Sequence, residues 1–143
     1  MENQNIALTK RLFEEVFNKG NLNALNEILA NNVVVYDTAL HNGKGGLREF
    51  KEAQVNYHHA FPNMKIKIDD IFGTEDKVFV RWTGTGTHKA DLQGIAPTNE
   101  NVKVTGISIN QYKNNKITEI HTQWDRLGLL EQIGQIEPAE ALH

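Results

Sequence analysis

The chain has 143 residues, of which 39% are apolar and 11 are glycine, with a net charge of −3 and no cysteine. That length and apolar content suit one domain with its own core, and a charged fraction of 23% is too ordinary for wholesale disorder. The acidic balance argues against a nucleic-acid partner, and the lack of cysteine excludes a disulfide scaffold, a thiolate nucleophile and cysteine-bound zinc or iron–sulfur centres.

Helical spacing opens the chain. Ile6, Leu12, Phe13, Val16 and Phe17 fall on one side, opposite Lys10, Arg11, Glu14 and Glu15. Asn18-Lys19-Gly20 is a stop signal, and Asn21 is placed to cap a second helix with Leu22, Leu25, Ile28 and Leu29 on its face. Val33 to Tyr36 predicts a short strand. After the flexible Gly43-Lys44-Gly45-Gly46, a third helix runs to about Ala60 with Leu47, Phe50 and Tyr57 recurring, and Pro62 closes it.

The period then changes from helical to alternating. Met64, Ile66 and Ile68 alternate with Lys65, Lys67 and Asp69, which predicts a half-buried strand. Further strands are expected over 78–88, 102–112 and 117–124. Asn114-Asn115 provides a hairpin turn, since asparagine tolerates positive φ, and a closing helical turn or two falls over 127–133. No repeat, linker or low-complexity stretch divides the chain, so residues 1–143 read as one domain with a loose tail over 135–143. No apolar run approaches a membrane span, and Met1-Glu2-Asn3-Gln4-Asn5 is not a signal-peptide start. A cytoplasmic protein with no membrane partner is the expectation.

Helices first and strands afterwards is an α+β pattern: N-terminal helices packed on a strongly curved antiparallel sheet. Such a sheet curls into a cone and leaves an internal pocket suited to a small molecule.

Several stretches carry a resemblance. Phe13 to Leu25, Trp82 to His88, Gly94 to Thr98, Val104 to Ile107 and Trp124 to Gly134 occur in the order found in SnoaL-like polyketide cyclases, the "ester cyclases" of the nuclear-transport-factor-like cone folds. The resemblance spans about residues 6–134. It implies an intramolecular aldol reaction on a polyketide ester without metal or cofactor, and a homodimer formed through the sheet. The family's histidine and aspartate positions fall here on Ser108 and Thr122, neither of which is an acid–base group unaided near neutral pH.

Other residues supply candidates. His88 ends the strand face marked as buried by Val78, Val80 and Trp82, and its imidazole titrates near neutrality. Gly84 and Gly86 on that face leave room for a ligand or permit a bend. Asp37 is placed to face a pocket mouth beside Tyr36, where relatives carry a histidine–aspartate pair. Asp125 is either a supporting carboxylate or the cap of the closing helix. Trp82 and Trp124 are candidate walls, with Thr122 sharing a strand face with Trp124 and Ile120. His58 and His59 point about 100° apart on a helix, so no metal site is expected there.

These residues support three readings. The first is a cofactor-free enzyme doing acid–base chemistry on a small apolar or aromatic carbonyl compound, with His88, Asp37 and Asp125 as catalytic candidates and Trp82, Trp124, Thr122, Ser108 and Tyr36 binding the ligand. The second is a binding protein with the same pocket. The third is an interaction module whose outer sheet face, carrying Ile107 and Ile109, pairs two copies or docks another protein.

Overall fold

The computed structural model describes residues 3–136. Most of the expected tail, residues 137–143, lies outside them.

Helix α1 (Gln4–Arg11) is capped by Asn3, whose side-chain oxygen accepts from the Asn5 and Ile6 amides. It continues as a wide π-type turn over Leu12–Asn18. The widening turns Leu12, Phe13 and Val16 into the core, and π-turns of this kind recur at functional sites. The chain then reverses at Gly20, whose φ of 71° places it in the left-handed region. Asn21 caps no helix: its side chain makes no capping bond, and a 3₁₀ turn (Leu22–Ala24) leads into the four-residue α2 (Leu25–Ile28). Leu29 already belongs to β1 (Leu29–Asp37), so the first strand starts four residues before Val33. A short β2 (Lys44–Gly45) precedes α3 (Leu47–Ala60), whose Glu49 carboxylate accepts from the Gly46 amide at 2.8 Å.

The second half is a meander of β3 (Lys65–Gly73), β4 (Lys77–Thr87), β5 (Asn101–Lys113) and β6 (Lys116–Trp124), closed by α4 (Arg126–Gln132). Asn114 and Asn115 form the β5–β6 turn at φ of 52° and 61°. The six strands form one open sheet in the order β2-β1-β6-β5-β4-β3. Its pairs are antiparallel except β1–β6, which is parallel and sets Asp37 opposite Thr122. The sheet is therefore mixed. Within the meander each strand pairs with the next one in the chain, whereas β1 pairs with a strand more than half the chain away.

Even-numbered side chains of β4 and β5 face the helices. Leu25, Ile28, Val78 and Ile117 are fully buried there, each contributing roughly 1.5–3 kcal/mol of transfer free energy. A second cluster of Ala60, Phe61, Leu92, Val102, Leu129 and Ile133 packs under α4. On the outer face one cross-strand row runs through all six strands: Lys44, Tyr36, His121, Ile109, Phe79 and Phe72.

Candidate functional site

Helices and inner sheet face enclose a cavity of about 130 Å³. Its wall is mostly apolar, from Leu12, Phe13 and Phe17 of the π-type turn, Phe50 and Tyr57 of α3, and Trp82, Val104, Ile120 and Trp124 of the sheet. Gly84 and Gly86 also line it.

The sheet register arranges the polar groups in rows. Gly106 pairs with both Trp82 and Trp124. One row further, Val80, Ser108, Thr122 and Asp37 lie side by side. The next holds Val78, Asn110, Ile120 and Val35. Gly106 is what lets the Trp82 indole lie across β5, because a Cβ there would collide with the ring. So placed, Trp82 Nε1 donates to Ser108 Oγ at 3.1 Å, and Ser108 shares a 3.0 Å hydrogen bond with Thr122. Both hydroxyls are buried and satisfied.

Asp37 is the carboxylate in the cavity wall. Its Oδ1 accepts from Trp124 Nε1 and from the Ala39 amide, each at 2.9 Å. Burial pushes its pKa above the ordinary 3.8, and the two donated hydrogen bonds offset that only in part. Beside it, the Tyr57 ring packs edge-on against Trp124 with centroids 5.9 Å apart. Burial raises the Tyr57 pKa most strongly, the Arg126 guanidinium pulls it down, and the negative Asp37 adds a smaller upward push. A carboxylate and a phenol thus feel one another inside an apolar cavity, with a cation behind the phenol.

The shift at Asp37 makes a stability prediction. Its folded-state pKa is raised, so the folded form holds this proton more tightly than the unfolded chain does. That contribution is fully present below the unfolded value and is lost as pH rises through the folded value. Asp37→Asn keeps an oxygen to accept from Trp124 and removes the titration. The variant's melting temperature should therefore gain on the wild type's as pH rises above the ordinary carboxylate value of 3.8. A difference that stays constant as pH rises would contradict the assignment.

The remaining expected site residues lie elsewhere. His88 is not at a cavity mouth: β4 ends at Thr87, and His88 is wholly buried against the Phe61 ring, whose other contacts include the cavity. Its Nδ1 bonds Thr98 Oγ1 at 3.1 Å, and its backbone pairs with Asn99 and Glu100. Asp125 is exposed and caps α4, its Oδ1 accepting from the Gly128 amide at 2.8 Å. Tyr36 points to the outer face, stacked on His121 at 4.5 Å, because alternation along β1 turns it away from the side taken by Val35 and Asp37. Trp82, Trp124, Thr122, Ser108 and Asp37 are the expected residues that the fold brings together in the cavity wall.

Tyr57 and Asn110 are cavity residues that the sequence does not single out. In the sequence Tyr57 is one of several core positions on a helix face. Asn110 shares its alternation with Val102, Val104, Gly106 and Ser108, and a carboxamide on a buried face is the signal that could have found it. Among the described residues no three His, Asp or Glu side chains converge as metal ligands. No described helix is long and apolar enough to cross a membrane.

The family model for SnoaL-like polyketide cyclases matches residues 7–133. The chain belongs to the SnoaL-like polyketide cyclase family. Its fold is similar to that of IdmH from Streptomyces antibioticus, a candidate polyketide cyclase, at 26% identity and a TM-score of 0.81, over 92% of this chain and 99% of that one. A candidate polyketide cyclase from Acidithiobacillus ferrooxidans is 25% identical with a TM-score of 0.80, covering 94% and 97% of the two chains. AclR from Streptomyces galilaeus, a candidate hydroxylase, has the same fold at 20% identity and a TM-score of 0.83, over 93% and 97%. No curated protein matches the chain. One fold can host several chemistries, so the reaction of this SnoaL-like chain has to be read from its own cavity.

Proposed function

We propose that this SnoaL-like protein is a cofactor-free enzyme of the cyclase type that removes a proton beside the carbonyl of a small apolar or aromatic compound. The observation that carries this reading is Asp37, a carboxylate with a raised pKa in an apolar cavity, fixed by the Trp124 indole. Asp37 takes the proton from carbon. The Tyr57 hydroxyl, with Arg126 behind it, donates a hydrogen bond to the carbonyl oxygen as it becomes an enolate oxygen. In a cyclisation the enolate carbon attacks a second carbonyl of the same molecule, a carbon–carbon bond forms, and Asp37 returns its proton to the resulting alkoxide. Trp82 and Trp124 are flat walls for the ligand. Ser108 and Thr122 orient the Trp82 indole, while His88 and Asp125 hold the loop and helix that frame the cavity.

The test is deuterium exchange into the position next to the carbonyl of 1-tetralone, followed by proton NMR. Faster exchange with protein than with buffer supports the reading, and no acceleration ends it.

A binding protein is the second reading, and one observation favours it. The two positions at which the resemblance places acid–base groups are hydroxyls bonded to one another. Tight binding of 1-tetralone with no exchange would decide for it.

We also propose that the protein pairs through its outer sheet face with a second copy. Stacked rings flank Ile109 on both sides, Tyr36 on His121 at 4.5 Å and Phe72 on Phe79 at 4.9 Å. A two-fold axis at Ile109 lays the first pair of one copy on the second pair of the other, as an isologous interface requires. Phe72 and Ile107, at 58% and 54% exposure, extend the apolar area. Ile109→Lys should convert a dimer to a monomer in light scattering at tens of micromolar, without loss of the cooperative melt. A wild type that is already monomeric at that concentration overturns the proposal.

A further inference from the structure

Asn110 is 1% exposed, lines the cavity, and its Oδ1 has no hydrogen-bond partner among the described residues. Buried acceptors of this kind are uncommon and costly to leave unmade. The orientation of the carboxamide is set by its neighbours. The Thr9 hydroxyl donates its single proton to the Asn5 carbonyl at 2.8 Å. The close contact between Thr9 Oγ1 and the Tyr112 hydroxyl therefore takes its proton from Tyr112. Tyr112 is left with an oxygen that can only accept, and Asn110 hydrogen-bonds it. The amide nitrogen of Asn110 must supply that bond, which commits Nδ2 to Tyr112 and leaves the carbonyl oxygen for the cavity.

We infer that Asn110 is a specificity-determining residue: its oxygen accepts a hydrogen bond from a hydroxyl on the inner end of the ligand. The relay Asn110–Tyr112–Thr9–Asn5 is what keeps the site an acceptor. Asn110 lies two residues along β5 from Ser108, hence one row, about 7 Å, from the row that contains Asp37. The ligand class is accordingly a flat apolar carbonyl compound that presents a phenolic, enolic or alcoholic hydroxyl at the end away from the reacting carbon. This rests on the cavity as a small-molecule site and deepens the proposed reading of it.

The test is calorimetric binding of two probes, 2-naphthol and 2-methoxynaphthalene. The first offers a donor, and the second offers only an acceptor to an acceptor. The wild type should bind 2-naphthol at least about ten-fold more tightly. Asn110→Leu should abolish that preference. Tyr112→Phe releases the carboxamide to turn its nitrogen inward, so the preference should shrink through a gain for 2-methoxynaphthalene. That second variant, with the wild-type ratio, decides the matter if Asn110→Leu does not fold. Equal affinity in the wild type, an unchanged ratio in either variant, or binding of neither probe overturns the inference. The acid–base reading is tested by exchange into 1-tetralone and this one by the affinity ratio of two probes that carry no carbonyl, so the failure of either gives a different result.

Discussion

Asp37→Asn should lower the protein-catalysed exchange of 1-tetralone by about 10²–10⁴-fold, the range that a positioned general base supplies. The geometry makes this a clean substitution. Asparagine has the same shape, and its oxygen still accepts from the Ala39 amide and Trp124 Nε1, so the indole stays where it is. What disappears is the basic lone pair. The pH profile gives a second check: in the wild type, exchange should rise with pH through an inflection above the ordinary carboxylate value of 3.8, because the base must be ionised and burial opposes ionisation. The variant should lose that inflection along with the rate. If exchange in the variant matches the wild type while the variant still melts cooperatively, Asp37 is not the base. Tyr57→Phe serves as the companion, since it removes the hydroxyl beside the developing enolate and leaves the carboxylate in place.

The second large effect is on structure. Gly106→Ala should destabilise the fold by about 1–3 kcal/mol, or several degrees of melting temperature, by forcing a methyl group into the Trp82 ring. The indole cannot retreat without breaking its bond to Ser108, and Ser108 in turn holds Thr122. Loss of stability and altered ligand binding should appear together, read by thermal melting and by calorimetry with 2-naphthol. Trp82→Phe in the same chain removes much of the collision, so the double variant should be more stable than the sum of the two single changes predicts. Additive losses would show that Gly106 is needed for some other reason.

Much of the fold is legible in spacing. The helical side of Phe13, Val16 and Phe17 and the alternation in β3, β4 and β5 are local patterns with a local cause, and the two asparagines at 114 and 115 mark their turn directly. The parallel pairing of β1 with β6 has no local cause. It depends on how the meander is laid against a strand separated from it by β2 and α3. The site shows the same division. Alternation identifies Trp124, Thr122 and Ile120 as sharing a face, yet it does not say that Phe61 lies against His88 or that Asp37 and not Tyr36 turns inward beside Trp124. Those depend on contacts between residues that are far apart in the sequence. Asn110 is legible as a polar residue on a buried face, but its meaning needs Thr9 and Tyr112, which come together in space from opposite ends of the chain.

The parallel contact between the first and last strands also bears on how the protein is made. Asp37 leaves the ribosome well before its partner Trp124, which follows it by 87 residues. Until β6 has been synthesised, β1 lacks its long neighbour in the sheet and the carboxylate lacks the indole that holds it. The segments that precede β6, from α1 to β5, can associate beforehand, whereas the β1–β6 pairing closes a long loop, which carries an entropic cost, and must wait for β6. A nascent chain stalled before Lys116 therefore carries the cavity walls from the π-type turn and α3 but lacks Thr122, Trp124 and Leu129. The buried carboxylate meets its indole partner only once β6 has been made.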